Sequence, residues 1–314
     1  MRVAVFGAGG VGGYFGGRLA EAGHDVTFVA RGDHLTALRE TGLRVESIAG
    51  DFVISPASAT DFPADVGPVE LVIVGTKTWQ LPAAAAAMSS LVGPDTAALP
   101  LLNGVEAPRI LDEHLGAGHA LGGLCRLIAF RAGPGLIRHT GVDPIIVFGE
   151  LDGTESARAR AILDAFDRAS GVEIQLSPDV TADMWKKLLL IASVSAVGAA
   201  TGATFGVIRS LPETRDLLAA CVNEACEVGR ALGVNLPDDQ LEVTLRFVDG
   251  LPPDATTSMQ RDIAAGLPSE LEAQLGAVVR LARDEGVATP TSATLYASLL
   301  PHEMRARAGR EPAP

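Results

Sequence analysis

Apolar positions along this chain change their period once, and the change divides it. In the first part they come in short uninterrupted runs bounded by Gly, Pro and Asp: Met1–Phe6, Asp25–Ala30, Val69–Gly75 and Thr96–Leu101. Such runs predict buried strands of a parallel sheet, with helices in the crossovers. Helices are expected at Gly13–Ala22, over Asp33–Thr41 and from near Pro82. A hairpin is expected from Leu43–Ser47 and Asp51–Ser55 across Ala49-Gly50, followed by a Pro/Ala/Asp-rich connection over Pro56–Pro68. Ala120–Phe130, Leu136–Thr140 and Ile145–Gly149 continue the strands, Ser156–Ala169 is an amphipathic helix, and Val172–Gln175 a last short strand. From Asp179 the period turns helical, with segments Asp179–Ala200, Glu213–Leu232, Asp238–Val248, Ser269–Glu285 and Pro290–Leu300. The expected fold is α/β, an N-terminal Rossmann-type doubly wound sheet (1–178) followed by an all-α C-terminal domain (179–304). Residues 305–314, rich in Arg, Gly and Pro, are expected to be a disordered tail.

One loop within this pattern carries chemistry. The first strand runs directly into Gly7-Ala8-Gly9-Gly10-Val11-Gly12, a G-x-G-x-x-G opening a helix, with a second strand at the spacing of a βαβ unit. Gly7 permits the tight turn, Gly9 lets the backbone approach a pyrophosphate, and Gly12 lets helix and strand close up. The phosphates then face free N–H groups at the positive end of the helix. The domain is therefore expected to bind a dinucleotide. Where an NAD-preferring site carries Asp or Glu at the end of the second strand, this chain has Arg31. A guanidinium suits a phosphate, which favours NADP(H).

Composition narrows the partners. The 314 residues carry a net charge of −13, with 47% apolar and 20% charged positions, enough for a sizeable core and too little charge for disorder. Nucleic acid and anionic membranes are excluded by the absence of any basic stripe, so an anionic ligand needs a local basic pocket. Cys125, Cys221 and Cys226 form no C-x-x-C pair or even framework, which predicts reduced thiols and a cytoplasmic protein. No metal site and no targeting segment is expected, and the apolar run Leu188–Ala200 falls short of the ~20 residues of a membrane span. The apolar surface of the helical part makes a homodimer an open option.

In doubly wound sheets ligands lie beyond the carboxyl ends of the strands. That places Lys77 and Asn103-Gly104 as candidates, though position alone leaves Lys77 equally a solvated lysine and Asn103-Gly104 equally a turn. In the helical part Lys187 shares a stripe with Ile191 and Ser195 at i, i+4, i+8. A lysine partly desolvated there would suit a proton donor, and snorkelling to solvent is the other outcome. Ser258 is a candidate carboxylate anchor. Glu270, after Pro268-Ser269, is read at a helix N-terminus, where ordinary capping is the alternative.

Taken in order, these motifs resemble the ketopantoate reductases (2-dehydropantoate 2-reductases) over roughly residues 1–300. They are the glycine loop with Arg31, K-T-x-Q at Lys77–Gln80, Asn103-Gly104, W-x-K-L at Trp185–Leu188, S-M-x-x-D at Ser258–Asp262, Ser269-Glu270 and G-V-x-T-P at Gly286–Pro290. The resemblance implies NADPH-dependent reduction of the C2 ketone of 2-dehydropantoate to pantoate, on the route to pantothenate. It implies Lys187 as proton donor, with Lys77 and Asn103 between nicotinamide and substrate. Ser258 would hold the substrate carboxylate, Glu270 would contact the cofactor and orient the lysine, and Ala129 would line the nicotinamide site. The family's substrate-pocket Asn positions, four and eight residues after the lysine, are Ile191 and Ser195 here. Losing a buried amide that pairs with a substrate hydroxyl costs about 1–3 kcal/mol. A paralogous reductase of a less polar 2-oxo acid is therefore the first alternative, and a non-catalytic NADPH sensor on the same fold the second.

Overall fold

Residues 1–308 are described by the structure, a computed structural model. The chain forms two compact units. One comprises Met1–Leu102 and Glu106–Asp183; the other comprises Asn103–Val105 and the described residues from Met184 onward. The division falls inside a helix, five residues beyond the boundary expected after 178.

The first unit contains β1 (Arg2–Phe6), α1 (Gly10–Glu21), β2 (Asp25–Val29), α2 (Gly32–Glu40), β3 (Leu43–Ser47), β4 (Phe52–Ile54), β5 (Ser58–Thr60), β6 (Leu71–Val74), α3 (Leu81–Ala87), β7 (Ala97–Pro100), α4 (Ala107–Leu115), β8 (Gly122–Gly133), β9 (Leu136–Gly149), α5 (Ala157–Asp167) and β10 (Glu173–Leu176). It holds two sheets. The first is all parallel, in the order β5-β2-β1-β6-β7; the second runs β10-β9-β3-β4, with β8 antiparallel on β9. Helix α1 is packed on both sides. A Cβ at Gly16 would overlap Val5 of β1, and one at Gly17 would lie 2.8 Å from the Phe52 ring of β4. Its glycine-rich sequence thus serves packing as well as the turn before it. On the same helix Arg18 is only 2% exposed. Its guanidinium donates to the Ala49 and Gly50 carbonyls (3.0 and 2.7 Å), pairs with Glu21 (2.9 Å) and lies over the Phe52 ring.

Two features of this unit depart from the expected pattern. The connection Pro56–Pro68 contains β5, which extends the parallel sheet beside β2, with Thr27 and Ser58 hydroxyls 3.1 Å apart. A three-residue strand between prolines shows no alternation to detect. The two strands expected at Leu136–Thr140 and Ile145–Gly149 are a single strand, β9. Arg126 pairs with Ile145 and Ile128 with Thr140, so Gly141–Pro144 loops out of the ladder while pairing resumes on either side. Gly141 and Pro144 interrupt the apolar pattern without ending the strand.

The second unit is helical: α6 (Val180–Thr201, its first residues in the first unit), α7 (Phe205–Ser210), α8 (Pro212–Ala231), α9 (Gln240–Asp249), α10 (Ser258–Ala264), α11 (Leu275–Asp284) and α12 (Pro290–Ala308). Its core gathers Trp185, Leu188, Leu189 and Ala192 of α6 with Leu218, Val222 and Cys226 of α8 and Leu275 and Val278 of α11. By length and composition α6 could cross a membrane, longer than the run Leu188–Ala200 suggested, but 61% of its apolar window is buried, as in a core helix. No disulfide joins the three cysteines, all of them buried, and burial pushes Cys221 up to about 12 and Cys226 up to about 11.

The expected helix Ser269–Glu285 begins only at Leu275; Ser269–Gln274 forms a turn. The expected stop at Leu300 is overrun, because α12 continues through Pro301 to Ala308. Glu303 explains the extension. At 2% exposure it accepts from the Ser269 backbone N–H and hydroxyl (2.9 and 2.6 Å) and pairs with Arg307 (2.6 Å). These bonds hold the turns that follow the proline. Residues 305–308 of the expected tail are therefore helical, and 309–314 lie outside the described residues.

Candidate active site

In the first unit, a groove of about 570 Å³ opens over the glycine loop, lined by Gly7–Gly9, Arg31, His34, Thr76 and Arg131. Gly7 has φ +97°, and a Cβ there would lie 2.9 Å from the Gly75 and Thr76 backbone. A Cβ on Gly12 would overlap the Gly7 carbonyl oxygen. Beyond its chain neighbours, Gly9 has no atom of the described residues within 4 Å of its Cβ direction, the open approach a phosphate requires. Gly9 is also the N-cap of α1, where no side chain caps the helix and the first turn holds no acid. Thr76 contributes a buried hydroxyl without a hydrogen-bond partner among the described residues. An uncapped helix start, an open glycine and an unpartnered hydroxyl together fit an anionic, polar dinucleotide.

The remaining candidates of this unit take these places. Ala8 is buried and Val11 half-buried. The Ala129 carbonyl of β8 lies against Gly10, where a Cβ would collide with it. Arg31 is exposed at the end of β2 and serves as N-cap of α2. Lys77 is exposed, its ammonium 5.6 Å from the centroid of the Trp79 ring.

His34 and Arg131 were not anticipated. His34 is 4% exposed; its Nδ1 accepts from the Gly135 N–H (3.0 Å), so Nε2 carries the proton donated to the Ala8 carbonyl (2.7 Å). Burial first, then the nearby Arg131 charge, hold this imidazole below its ordinary value. A lone His in a first helical turn and an Arg on a hairpin carry no sequence signal.

In the helical unit, Asn103 Nδ2 donates to Glu270 Oε2 at 2.7 Å, and Glu270 is 7% exposed. The short segment after β7 thus packs with the helices: Gly104 has φ +95°, and a Cβ there would lie 2.6 Å from the Ala273 carbonyl oxygen. Glu270 stands in the turn five residues before α11, a correction to its expected place at a helix N-terminus. On α6, Lys187 and Ile191 are half-buried and Lys186 exposed, while Ser195 is 1% exposed with its hydroxyl unpartnered among the described residues. Ser258 is exposed as the first residue of α10, whose N-cap Thr257 accepts from the Gln260 N–H (3.1 Å).

A glycine-loop groove on a parallel sheet, continued in sequence by a helical unit bearing lysine, amide and carboxylate, defines an NAD(P)-dependent oxidoreductase of the Rossmann-plus-helical class. Family comparison narrows the class. The family described as "Ketopantoate reductase PanE/ApbA" matches residues 3–153, and its C-terminal part, "Ketopantoate reductase PanE/ApbA C terminal", matches residues 179–303. The chain belongs to the ketopantoate reductase family. It is similar to "Uncharacterized oxidoreductase YkpB" of Bacillus subtilis, 31% identical over 96% of this chain and 99% of that protein. A 2-dehydropantoate 2-reductase of Halobacterium salinarum is 33% identical over 94% and 96%, respectively. The crystal structure of a PanE/ApbA family ketopantoate reductase from Ralstonia eutropha superposes with a TM-score of 0.88, at 31% identity over 98% of this chain and all of that one.

Proposed function

We propose that the chain catalyses NADPH-dependent reduction of the C2 ketone of 2-dehydropantoate to pantoate, a step of pantothenate synthesis, in the cytoplasm. The observation that carries this is the Asn103–Glu270 hydrogen bond. It joins residues 167 positions apart into one part-buried polar pair, and these are two of the residues the family resemblance assigns to one site. Bound NADPH supplies the hydride. Gly7 to Gly12 and the start of α1 hold its pyrophosphate, and Arg31 holds its 2′-phosphate. Lys187 gives the proton to the ketone oxygen, an acid on a half-buried face of α6. Asn103 fixes the Glu270 carboxylate, which orients that lysine, and Ser258 holds the substrate carboxylate.

Turnover of 2-dehydropantoate, followed by NADPH consumption, is the direct test. Lys187→Ala should lower kcat about 10²–10⁴-fold and leave NADPH affinity unchanged; a retained kcat refutes the acid. Ile191, half-buried on the lysine's stripe, favours a second reading in which the substrate is a less polar branched 2-oxo acid. A panel of 2-oxo acids separates the two. No turnover of any of them would leave an NADPH-binding sensor.

A further inference from the structure

Resting on the NADPH-dependent activity proposed above, we propose that Arg131, on the β8–β9 hairpin, is a second cation for the 2′-phosphate, and that His34 positions it. Arg31 and Arg131 both line the glycine-loop groove and both line an adjoining hollow of about 420 Å³. Neither guanidinium has an ion pair or hydrogen bond among the described residues. Among the described residues, the single acid lining either hollow is Asp33, exposed in the first turn of α2. Two unpartnered guanidinia facing one space repel each other unless an anion lies between them. A chain of net charge −13 gains no general advantage from such a cluster. A phosphate dianion satisfies both, because each guanidinium presents a planar fork of donors.

Hairpin geometry fixes where Arg131 stands. The ladder shifts register between Arg131, opposite Ile137, and Gly133, opposite Leu136, and such irregularities re-aim the neighbouring side chain. The turn that follows is fastened by His34, which accepts from the Gly135 N–H while donating to the Ala8 carbonyl. One buried imidazole thus ties the hairpin carrying Arg131 to the loop that receives the pyrophosphate. Both phosphate subsites are held in a fixed relation.

The test is equilibrium binding of 2′,5′-ADP and of 5′-AMP to the full chain by calorimetry, beside KM and kcat with NADPH and NADH. Arg131→Gln should weaken 2′,5′-ADP by roughly tenfold or more and leave 5′-AMP unchanged. It should also raise KM for NADPH alone, with kcat retained. Arg131→Lys should lose less. His34→Ala should reduce the preference for 2′,5′-ADP only while Arg131 is present, and His34→Gln, which can donate and accept, should restore it. An equal loss for both nucleotides, or an effect of His34→Ala that persists in Arg131→Gln, overturns the inference. A wild-type chain that binds 2′,5′-ADP no better than 5′-AMP refutes the NADPH preference itself. Discrimination that survives Arg131→Gln refutes only the role of Arg131.

Discussion

Two glycines of the loop should respond to the same substitution in opposite ways. At Gly12, an added methyl would overlap the Gly7 carbonyl oxygen and lie 2.9 Å from Val5 Cγ1. The first partner is backbone and cannot rotate away, so the overpacking cost belongs at the upper end of about 1–3 kcal/mol. Alanine recovers about 1 kcal/mol of helix propensity within α1. The net loss for Gly12→Ala is then about 2 kcal/mol, or a fall of several degrees in the Tm of the ligand-free protein. At Gly9 the added methyl meets no atom of the described residues beyond its chain neighbours within 4 Å, and the backbone (φ −78°) accepts alanine. Its cost as an N-cap, about 0.5–1 kcal/mol relative to glycine, is offset by lost unfolded-state entropy of similar size. Stability should therefore stay within about 0.5 kcal/mol. Dinucleotide affinity should nevertheless fall at least about tenfold, equivalent to ~1.4 kcal/mol, because the methyl occupies the phosphate's approach. Thermal melts and calorimetric titration with NADPH measure both quantities on each variant. A Gly9→Ala protein that binds normally would refute the phosphate path, and a Gly12→Ala protein of undiminished Tm would refute the close approach.

Three other outcomes follow from particular contacts. Arg18→Met keeps the stem but leaves the Ala49 and Gly50 carbonyls without their donor; at about 1–3 kcal/mol each it should cost about 2–6 kcal/mol in urea unfolding, and a loss below about 1 would contradict the buried bonds. His34 is held neutral by burial, so the folded chain binds fewer protons than the unfolded one below pH 6.5. Its contribution is full above that pH and is lost as pH falls through the folded value; the urea midpoint should drop on the acid side more steeply for wild type than for His34→Gln, and equal slopes would refute the assignment. Ile191→Asn should raise kcat/KM for 2-dehydropantoate relative to a branched apolar 2-oxo acid by about tenfold, the worth of one paired buried amide; an unchanged ratio would remove Ile191 from the substrate pocket.

Local chemistry determined much of this protein before any tertiary contact was known. The glycine loop is visible because each glycine answers a backbone demand within a few residues, and strand, loop and helix follow in the only order that meets it. Long helices such as α6 and α8 show in their own apolar content, and Arg31 shows because it follows directly on a readable strand. Elements whose stability comes from elsewhere were not visible. β5 exists because β2 offers it an edge, β9 is continuous because β8 pairs with it on both sides of Gly141–Pro144, and α12 passes Pro301 because Ser269 and Arg307 grip Glu303. The sites follow the same rule. The family resemblance assigned Asn103 and Glu270 separate roles in one site, but only the fold shows the amide of one bonded to the carboxylate of the other, from a turn rather than a helix start. Arg131 and His34 lie about a hundred residues apart in sequence and meet around Gly135 and Ala8. Contacts at that separation depend on how strands and helices pack, which no local pattern of hydrophobic and polar residues encodes.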